Sequence, residues 1–151
     1  MKAGSWLGVL LFVLLACGAA RGAPAGPGLG YATYLGGNKD DVVRALAVDG
    51  SGNVWVAGET HSWGFPVTAD AWQKNSGGDY DAFVAKFSPS GQLLYATYLG
   101  GSDHDYANAL AVDGSGNVWV AGLTWSENFP VTADAWQKSG GDFDSFGVSF
   151  R

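Results

Sequence analysis

Cysteine and positive charge are both scarce in this sequence, and each scarcity excludes a class of protein. Cys17 is the only cysteine among the 151 residues, so no disulfide within the chain can stabilise the fold and packing must do so. Eight Lys and Arg residues, scattered along the chain, stand against 14 Asp and Glu residues, which gives a formal net charge of −6. Binding to nucleic acid is not expected, because it needs clustered positive charge against the phosphates.

Sequence signatures of the common enzyme classes are also missing. The two histidines, His61 and His104, have no His, Cys or Glu partner at the spacing of a zinc site. Neither a Gly-x-Ser-x-Gly nucleophile elbow nor a phosphate-binding glycine loop occurs. Recurring acidic pairs lack the two different environments that glycoside hydrolysis requires, since the repeated sites are alike. We therefore expect a protein that is not an enzyme.

The longest apolar run lies at the N-terminus and is short. Met1-Lys2 supplies a positive start, Trp6 to Ala16 is an apolar run too short for a permanent membrane anchor, and small residues follow. This pattern predicts an export signal over residues 1–20 that is absent from the mature protein. The protein is therefore expected outside the cytoplasm, either extracellular or on the surface of a bacterial cell envelope.

Two forms of that signal remain open. Residues 14–18, Leu-Leu-Ala-Cys-Gly, resemble the lipobox of bacterial lipoproteins, in which case the signal is 1–16 and Cys17 carries a lipid anchor. Ordinary cleavage after Ala20, which discards Cys17, is the alternative. Residues 21–30, rich in proline and glycine, predict a flexible spacer.

Glycine, aromatic residues and internal repetition are abundant. Twenty-four glycines and 14% aromatic residues favour many tight turns between short strands. The run ALAVDGSGNVWVAG occurs at 45–58 and again, unchanged, at 109–122, and YATYLGG occurs at 31–37 and at 95–101. These blocks return with a period of 64 residues, the spacing from Asp49 to Asp113. A repeat of this length indicates a fold built from repeated units, and the other features are interpreted within that architecture.

Each period predicts four strands in two hairpins, at roughly 43–49, 54–59, 82–87 and 93–99. Asp-Gly-Ser-Gly-Asn fills the first turn, where Gly50 and Gly52 would supply backbone conformations that a side chain resists. The flanking strands are almost wholly apolar, so both of their faces must be covered. Four-stranded antiparallel units of this kind, repeated head to tail, predict an all-β chain of two β-propeller blades.

The order of these blocks resembles the bacterial β-propeller repeat family SBBP, and the resemblance covers nearly everything after Tyr31. It implies a propeller in an exported or cell-surface protein and no general enzymatic activity. The repeat region is then 31–151, with a leading strand at 31–36, blade one at 42–99 and an incomplete blade two at 106–151. Two blades are too few to close a ring of about four to eight. Either several chains associate to complete it, or this is a fragment of a longer propeller.

Two sets of acidic residues are candidates for a calcium site. The first turn and its repeat place oxygen ligands at positions one, three and five, as calcium loops do. These residues are Asp49, Ser51 and Asn53, and Asp113, Ser115 and Asn117. Valine at position six and threonine at position twelve favour a plain turn instead. Asp79 with Asp81, and Asp142 with Asp144, would present two carboxylates on one face of a strand, but solvation in the loop and local bonding to backbone amides are the favoured alternative. We therefore expect no cofactor, with calcium as the one that these patterns leave open.

Tryptophans give the main binding hypothesis. Trp55 and Trp119 lie inside apolar strands and are predicted to form the core between blades. Four others lie in loop-like stretches and would stack on sugar rings in a multivalent carbohydrate-binding oligomer, with packing at the corner of a blade as the alternative. They are Trp63, Trp72, Trp125 and Trp136. The main functional interpretation is a scaffold at the cell surface whose partners are other propeller blades, surface proteins or glycans.

Overall fold

The computed structural model describes residues 28–151. The predicted export signal, Cys17 and all but the last three residues of the predicted spacer lie outside the described residues. The described chain forms seven β-strands and no helix, which confirms the all-β prediction. No helix in that range is long and apolar enough to cross a membrane. The strands are β1 (Asp41–Val48), β2 (Val54–Thr60), β3 (Asp81–Phe87), β4 (Leu93–Leu99), β5 (Asp105–Val112), β6 (Val118–Thr124) and β7 (Asp144–Phe150).

The strands form two antiparallel sheets that follow the two repeats. The first sheet has the order β1-β2-β3-β4 and the second the order β5-β6-β7, and all neighbours are consecutive in sequence. Each sheet is therefore a meander, as expected for a propeller blade. Among the described residues, no strand pairs with the outer edge of β7, so the second blade has three strands where the first has four.

The turn between β1 and β2 forms as its sequence predicts, with one difference. The Asp49 carboxylate accepts the backbone N–H groups of Ser51 and Asn53, each at 2.9 Å. Gly52 has a φ of +80°, a conformation that favours glycine, and Gly116 in the second copy has a φ of +86°. The expectation that Gly50 also needs such a conformation was wrong, because this turn has a single left-handed residue.

The two sheets stack face to face, in the same orientation. Side chains of β2 and β3, including Trp55 and Val84, pack against Val118, Val120 and Phe146 of the second sheet. Within the first sheet, the repeat counterparts of those second-sheet residues lie on the opposite face from Trp55 and Val84. The face of the second blade that carries Val118 and Phe146, here called its front, therefore covers the Trp55 face, here called the back, of the first blade. This is the head-to-tail stacking that blades have in a propeller.

The other face of the first sheet is covered by non-strand segments. Val54, Val56 and Phe83 form a core there with Phe65, which lies in the loop between β2 and β3. Leu35 of the leading segment packs on the same core. As a result every residue of β2 is buried, and β3 is buried apart from one half-buried residue, which confirms for these two strands the prediction that both faces are covered.

The outer face of the second sheet is bare, and there the prediction of covered faces was wrong. Trp119 is 52% exposed, whereas its repeat counterpart Trp55 is 8% exposed. The prediction that both are core residues is therefore correct only for Trp55. The physical reason is that the second sheet covers Trp55, while no third sheet covers Trp119 in the described chain.

The leading segment, residues 31–36, is not assigned as a strand. It lies against the first sheet, where the hydroxyl of Tyr31 donates a hydrogen bond to the carbonyl oxygen of Gly91 at 2.7 Å. None of its backbone groups bonds to another backbone group in the described part of the chain. A strand ladder requires an edge with unpaired backbone groups, and the leading segment meets no such edge there.

Candidate functional site

The carboxylates of the aspartates in the two turns accept hydrogen bonds from neighbouring N–H groups. Besides the two backbone donors already described, Asp49 accepts Nδ2 of Asn53 at 2.8 Å and Nε1 of Trp55 at 3.3 Å. Burial alone would raise the pKa of Asp49, but the hydrogen bonds led by that of Asn53 lower it to about 2. The Asn117 side chain and neighbouring donors likewise lower the pKa of Asp113 to about 2. This arrangement is that of the plain turn, the alternative that the sequence favoured.

The acidic pairs predicted to share a strand face are separated. Asp79 lies in the loop before β3 and pairs with Nε2 of His61 at 2.7 Å, whereas Asp81 is fully buried. Asp142 likewise lies before β7, and Asp144 is the first residue of that strand. The prediction that each pair shares one strand face was wrong because the strands begin only at Asp81 and Asp144, so Asp79 and Asp142 lie in the preceding loops. Across residues 28–151, no group of three or more His, Cys, Asp or Glu side chains is placed to hold a metal ion.

A buried carboxylate pair that the sequence did not predict lies where the two sheets meet, beside Gly100. Asp81 and Asp105, the first residues of β3 and β5, are both fully buried. Backbone N–H groups of Gly77 and Gly101 donate to them at 2.9 and 2.8 Å, yet one oxygen of each carboxylate has no partner. A Cβ atom placed at Gly100 would collide with both carboxylates.

The environment of this pair favours the protonated acids. Burial is the main cause that raises the pKa of both Asp81 and Asp105, and the charge of Asp81 adds to the effect on Asp105. The signal that could have revealed the pair is the spacing of Gly-Gly and aspartate. In each half of both repeats a Gly-Gly pair precedes a buried or half-buried aspartate by four residues or fewer, as with Gly101 and Asp105.

The four loop tryptophans fall into two groups. Trp63 is 71% exposed, with the Lys39 ammonium 4.8 Å from its ring centroid. Trp125 packs among aromatic rings, with the centroid of Phe143 at 4.6 Å. Neither lines the groove formed by the other two, Trp72 and Trp136, which are 57% and 98% exposed.

That groove is the candidate functional site. It runs along the free edge of β7, has a volume of about 550 Å³ and is bounded on its other side by the loop between β6 and β7. In the first sheet, the place between the corresponding strand and loop is filled by β4. The groove is thus the vacant position of a fourth strand. Its lining includes Trp72, Trp119, Phe129, Thr132, Trp136 and Gln137.

The first sheet shows how such a groove holds a strand. Thr68 donates its backbone N–H to the carbonyl of Ala96 at 3.0 Å and accepts the Ala96 N–H on Oγ1 at 3.1 Å. The backbone N–H of Gln73 donates to Oγ1 of Thr97 at 2.9 Å. The loop thereby acts as a second edge that hydrogen-bonds to β4 on the side opposite β3. The counterparts of these loop residues in the second repeat are Thr132 and Gln137, and both line the empty groove.

Stacked antiparallel sheets, each built from one repeat, define this chain as a pair of β-propeller blades. Residues 30–66 and 94–130 match the model of the SBBP family, described as a beta-propeller repeat. The chain therefore carries two SBBP β-propeller repeats, and the resemblance drawn from the sequence is confirmed. No curated protein matches the chain.

Proposed function

We propose that this chain is an exported, non-catalytic β-propeller module that serves as a structural or interaction scaffold at the cell surface. The observation that supports this most is the open end of the stack, where an apolar sheet face with Trp119 meets the vacant groove beside β7. Exposed apolar surface of this kind marks a site of protein association. Its proposed partners are other propeller blades, from further copies or a longer parent chain, and surface proteins, and the module needs no cofactor.

Association through the open face is tested by sedimentation of the full chain over a range of concentrations. We expect the chain to associate, and Trp119→Ser to weaken that association because it removes the largest exposed ring on the face. Trp63→Ser is the matched control, since Trp63 is also exposed, at 71% against 52% for Trp119, but does not line the groove. An equal effect of both substitutions, or a chain that stays monomeric throughout, would refute the scaffold role of this face.

Export is tested by fractionating bacterial cells that express the full chain or a variant lacking residues 2–20. The full chain should leave the cytoplasm and the truncated one should remain there. Cys17→Ser separates the two forms of the signal. A lipid-anchored protein would lose its membrane fraction through this change, whereas a protein cleaved after Ala20 would be unaffected. Retention of the full chain in the cytoplasm would contradict export.

A carbohydrate-binding role is the second candidate, and the groove is the observation that favours it. Trp72 and Trp136 bring two exposed indole rings to one cavity that also contains polar side chains such as Gln137. Aromatic faces combined with hydrogen-bonding groups suit sugar rings. On a glycan array the full chain should then bind, Trp136→Ala should lose binding and Trp63→Ala should keep it. The absence of binding to any glycan would end this alternative.

A further inference from the structure

We propose that residues 31–37 of a second copy of this chain fill the groove beside β7 and form the fourth strand of its second sheet. The inference rests on the proposed function as an interaction module and names the partner and the segment that binds. Each chain would then give its leading segment to one neighbour and receive that of another. Such a head-to-tail contact either closes into a ring or extends into a filament.

The sequence of the leading segment matches the strand that fills the equivalent groove. Residues 31–37 read YATYLGG, and residues 95–101, which include most of β4, read the same. A segment that fits between β3 and the loop of the first repeat therefore has the side chains to fit between β7 and the loop of the second. The loop side of the two grooves also repeats, since the loop segments 65–74 and 129–138 are identical.

Tyr34 has a very different environment from its counterpart in the second copy of this heptapeptide. Its counterpart Tyr98 is fully buried, and the Tyr98 hydroxyl donates to the carbonyl of Ser62 at 2.6 Å and accepts the N–H of Phe65 at 3.0 Å. Tyr34 is 80% exposed. In the proposed contact the Tyr34 ring enters the groove of the partner copy and its hydroxyl gains the same two partners. The repeat counterparts that supply them are Ser126 and Phe129.

The leading segment already lies where this contact requires it. Leu35 packs on the core that Val54, Val56 and Phe83 form on the first sheet. In the same way its counterpart Leu99 packs on the core between the two sheets. The segment thus stands in front of the first sheet as β4 stands in front of the second. Tyr31 fixes its start through Gly91, while its backbone groups stay free to pair with another strand.

The same contact covers the apolar face of the second sheet. Within one chain the front of the second sheet buries Trp55, so repetition of that stacking would set the front of a partner's first sheet against Trp119. One arrangement therefore accounts for the vacant groove, the bare face and the unpaired segment. Strand addition supplies backbone hydrogen bonds, and the aromatic side chains supply the fit.

The register predicts which residues of two copies oppose each other. Val84 lies opposite Thr97 in the first sheet. Gly147 occupies the position of Val84 in the second, so it would face Thr33 of the partner. A Cβ added at Gly147 meets open space, so cysteine is accommodated there. Cysteines on directly opposed strand residues are close enough to form a disulfide.

The test mixes two full-length proteins in a Cys17→Ser background, one with Thr33→Cys and one with Gly147→Cys, under mild oxidation. We expect a disulfide-linked heterodimer on a non-reducing gel, and its loss when Tyr34→Ala is added to the first protein. Gly114→Cys, also at an open position but in the turn between β5 and β6, replaces Gly147→Cys in the matched control. Excess synthetic peptide YATYLGG should lower the yield of heterodimer, because it competes with the leading segment for the same groove.

Each outcome separates this inference from the broader proposal. Cross-linking no stronger than the Gly114→Cys control, with association that still depends on Trp119, would overturn strand donation and leave the scaffold role intact. A chain that sediments as a monomer and forms no specific cross-link would overturn both. Insensitivity to the peptide and to Tyr34→Ala would mean that the contact does not use the heptapeptide, and would also overturn the inference.

Discussion

Replacing Tyr98 by phenylalanine measures directly what the groove of the first sheet contributes. The change removes one hydroxyl that donates to the carbonyl of Ser62 and accepts the N–H of Phe65, and it leaves the ring in place. The two partners keep a weaker bond to each other, from Phe65 N to Ser62 O at 3.3 Å. That bond reduces the cost of losing a buried hydroxyl, so we expect Tyr98→Phe to lower the free energy of unfolding by about 1.5 kcal/mol.

Urea unfolding of the full chain, followed by tryptophan fluorescence, provides the measurement. A loss of this size corresponds to a fall in Tm of about 6 °C for a domain of this length. Tyr34→Phe is the matched control and should change the free energy of unfolding by less than about 0.5 kcal/mol, since Tyr34 is exposed. Both are measured at a dilution where the chain is monomeric. Equal effects of the two substitutions, or none at Tyr98, would refute the argument.

Three further predictions concern single buried positions, and two of them use a matched exposed position as the control. Trp55→Ala should lower the free energy of unfolding by about 3 kcal/mol and Trp119→Ala by less than about 1 kcal/mol in calorimetry, because only Trp55 is buried. Gly100→Ala should lower Tm sharply and Gly114→Ala should not, since only the first Cβ collides with neighbouring atoms. Burial raises the pKa of Asp81, so the folded chain holds its proton more tightly than the unfolded chain and stability falls as pH rises above about 4. Asp81→Asn should stabilise the protein at neutral pH and flatten that slope in urea titrations at several pH values; a steeper slope would contradict the assignment.

Local features were predictable because they depend on neighbouring residues in the sequence. The first strand was predicted at 43–49 and is found at 41–48, and the last strand of the first sheet agrees in full with the predicted 93–99. The turn at Asp49 forms because its carboxylate bonds donors two and four residues away. Apolar runs, turn residues and the 64-residue period therefore sufficed to place strands and blades.

Features that depend on contacts across the stack were not predictable in the same way. Asp81 and Asp105 are 24 positions apart and meet only because the second sheet stacks on the first. Sequence alternation instead paired Asp79 with Asp81, which the start of β3 separates. Among the tryptophans, composition and propensity treat all loop positions alike, whereas the structure brings Trp72 and Trp136 together and leaves Trp63 elsewhere.

The repeats separate what the sequence determines from what the neighbouring blade determines. The 14-residue run is identical in both copies, so its strands, its turn and its hydrogen bond from tryptophan to aspartate form twice. Its burial nevertheless differs, because burial is supplied by the next sheet. An apolar strand whose second face is bare loses about 25 cal/mol for each Å² left in water. In the proposed assembly, a partner copy that covers the open end of this stack removes that apolar surface from water, and its residues 31–37 repeat the sequence of the strand that fills the equivalent groove.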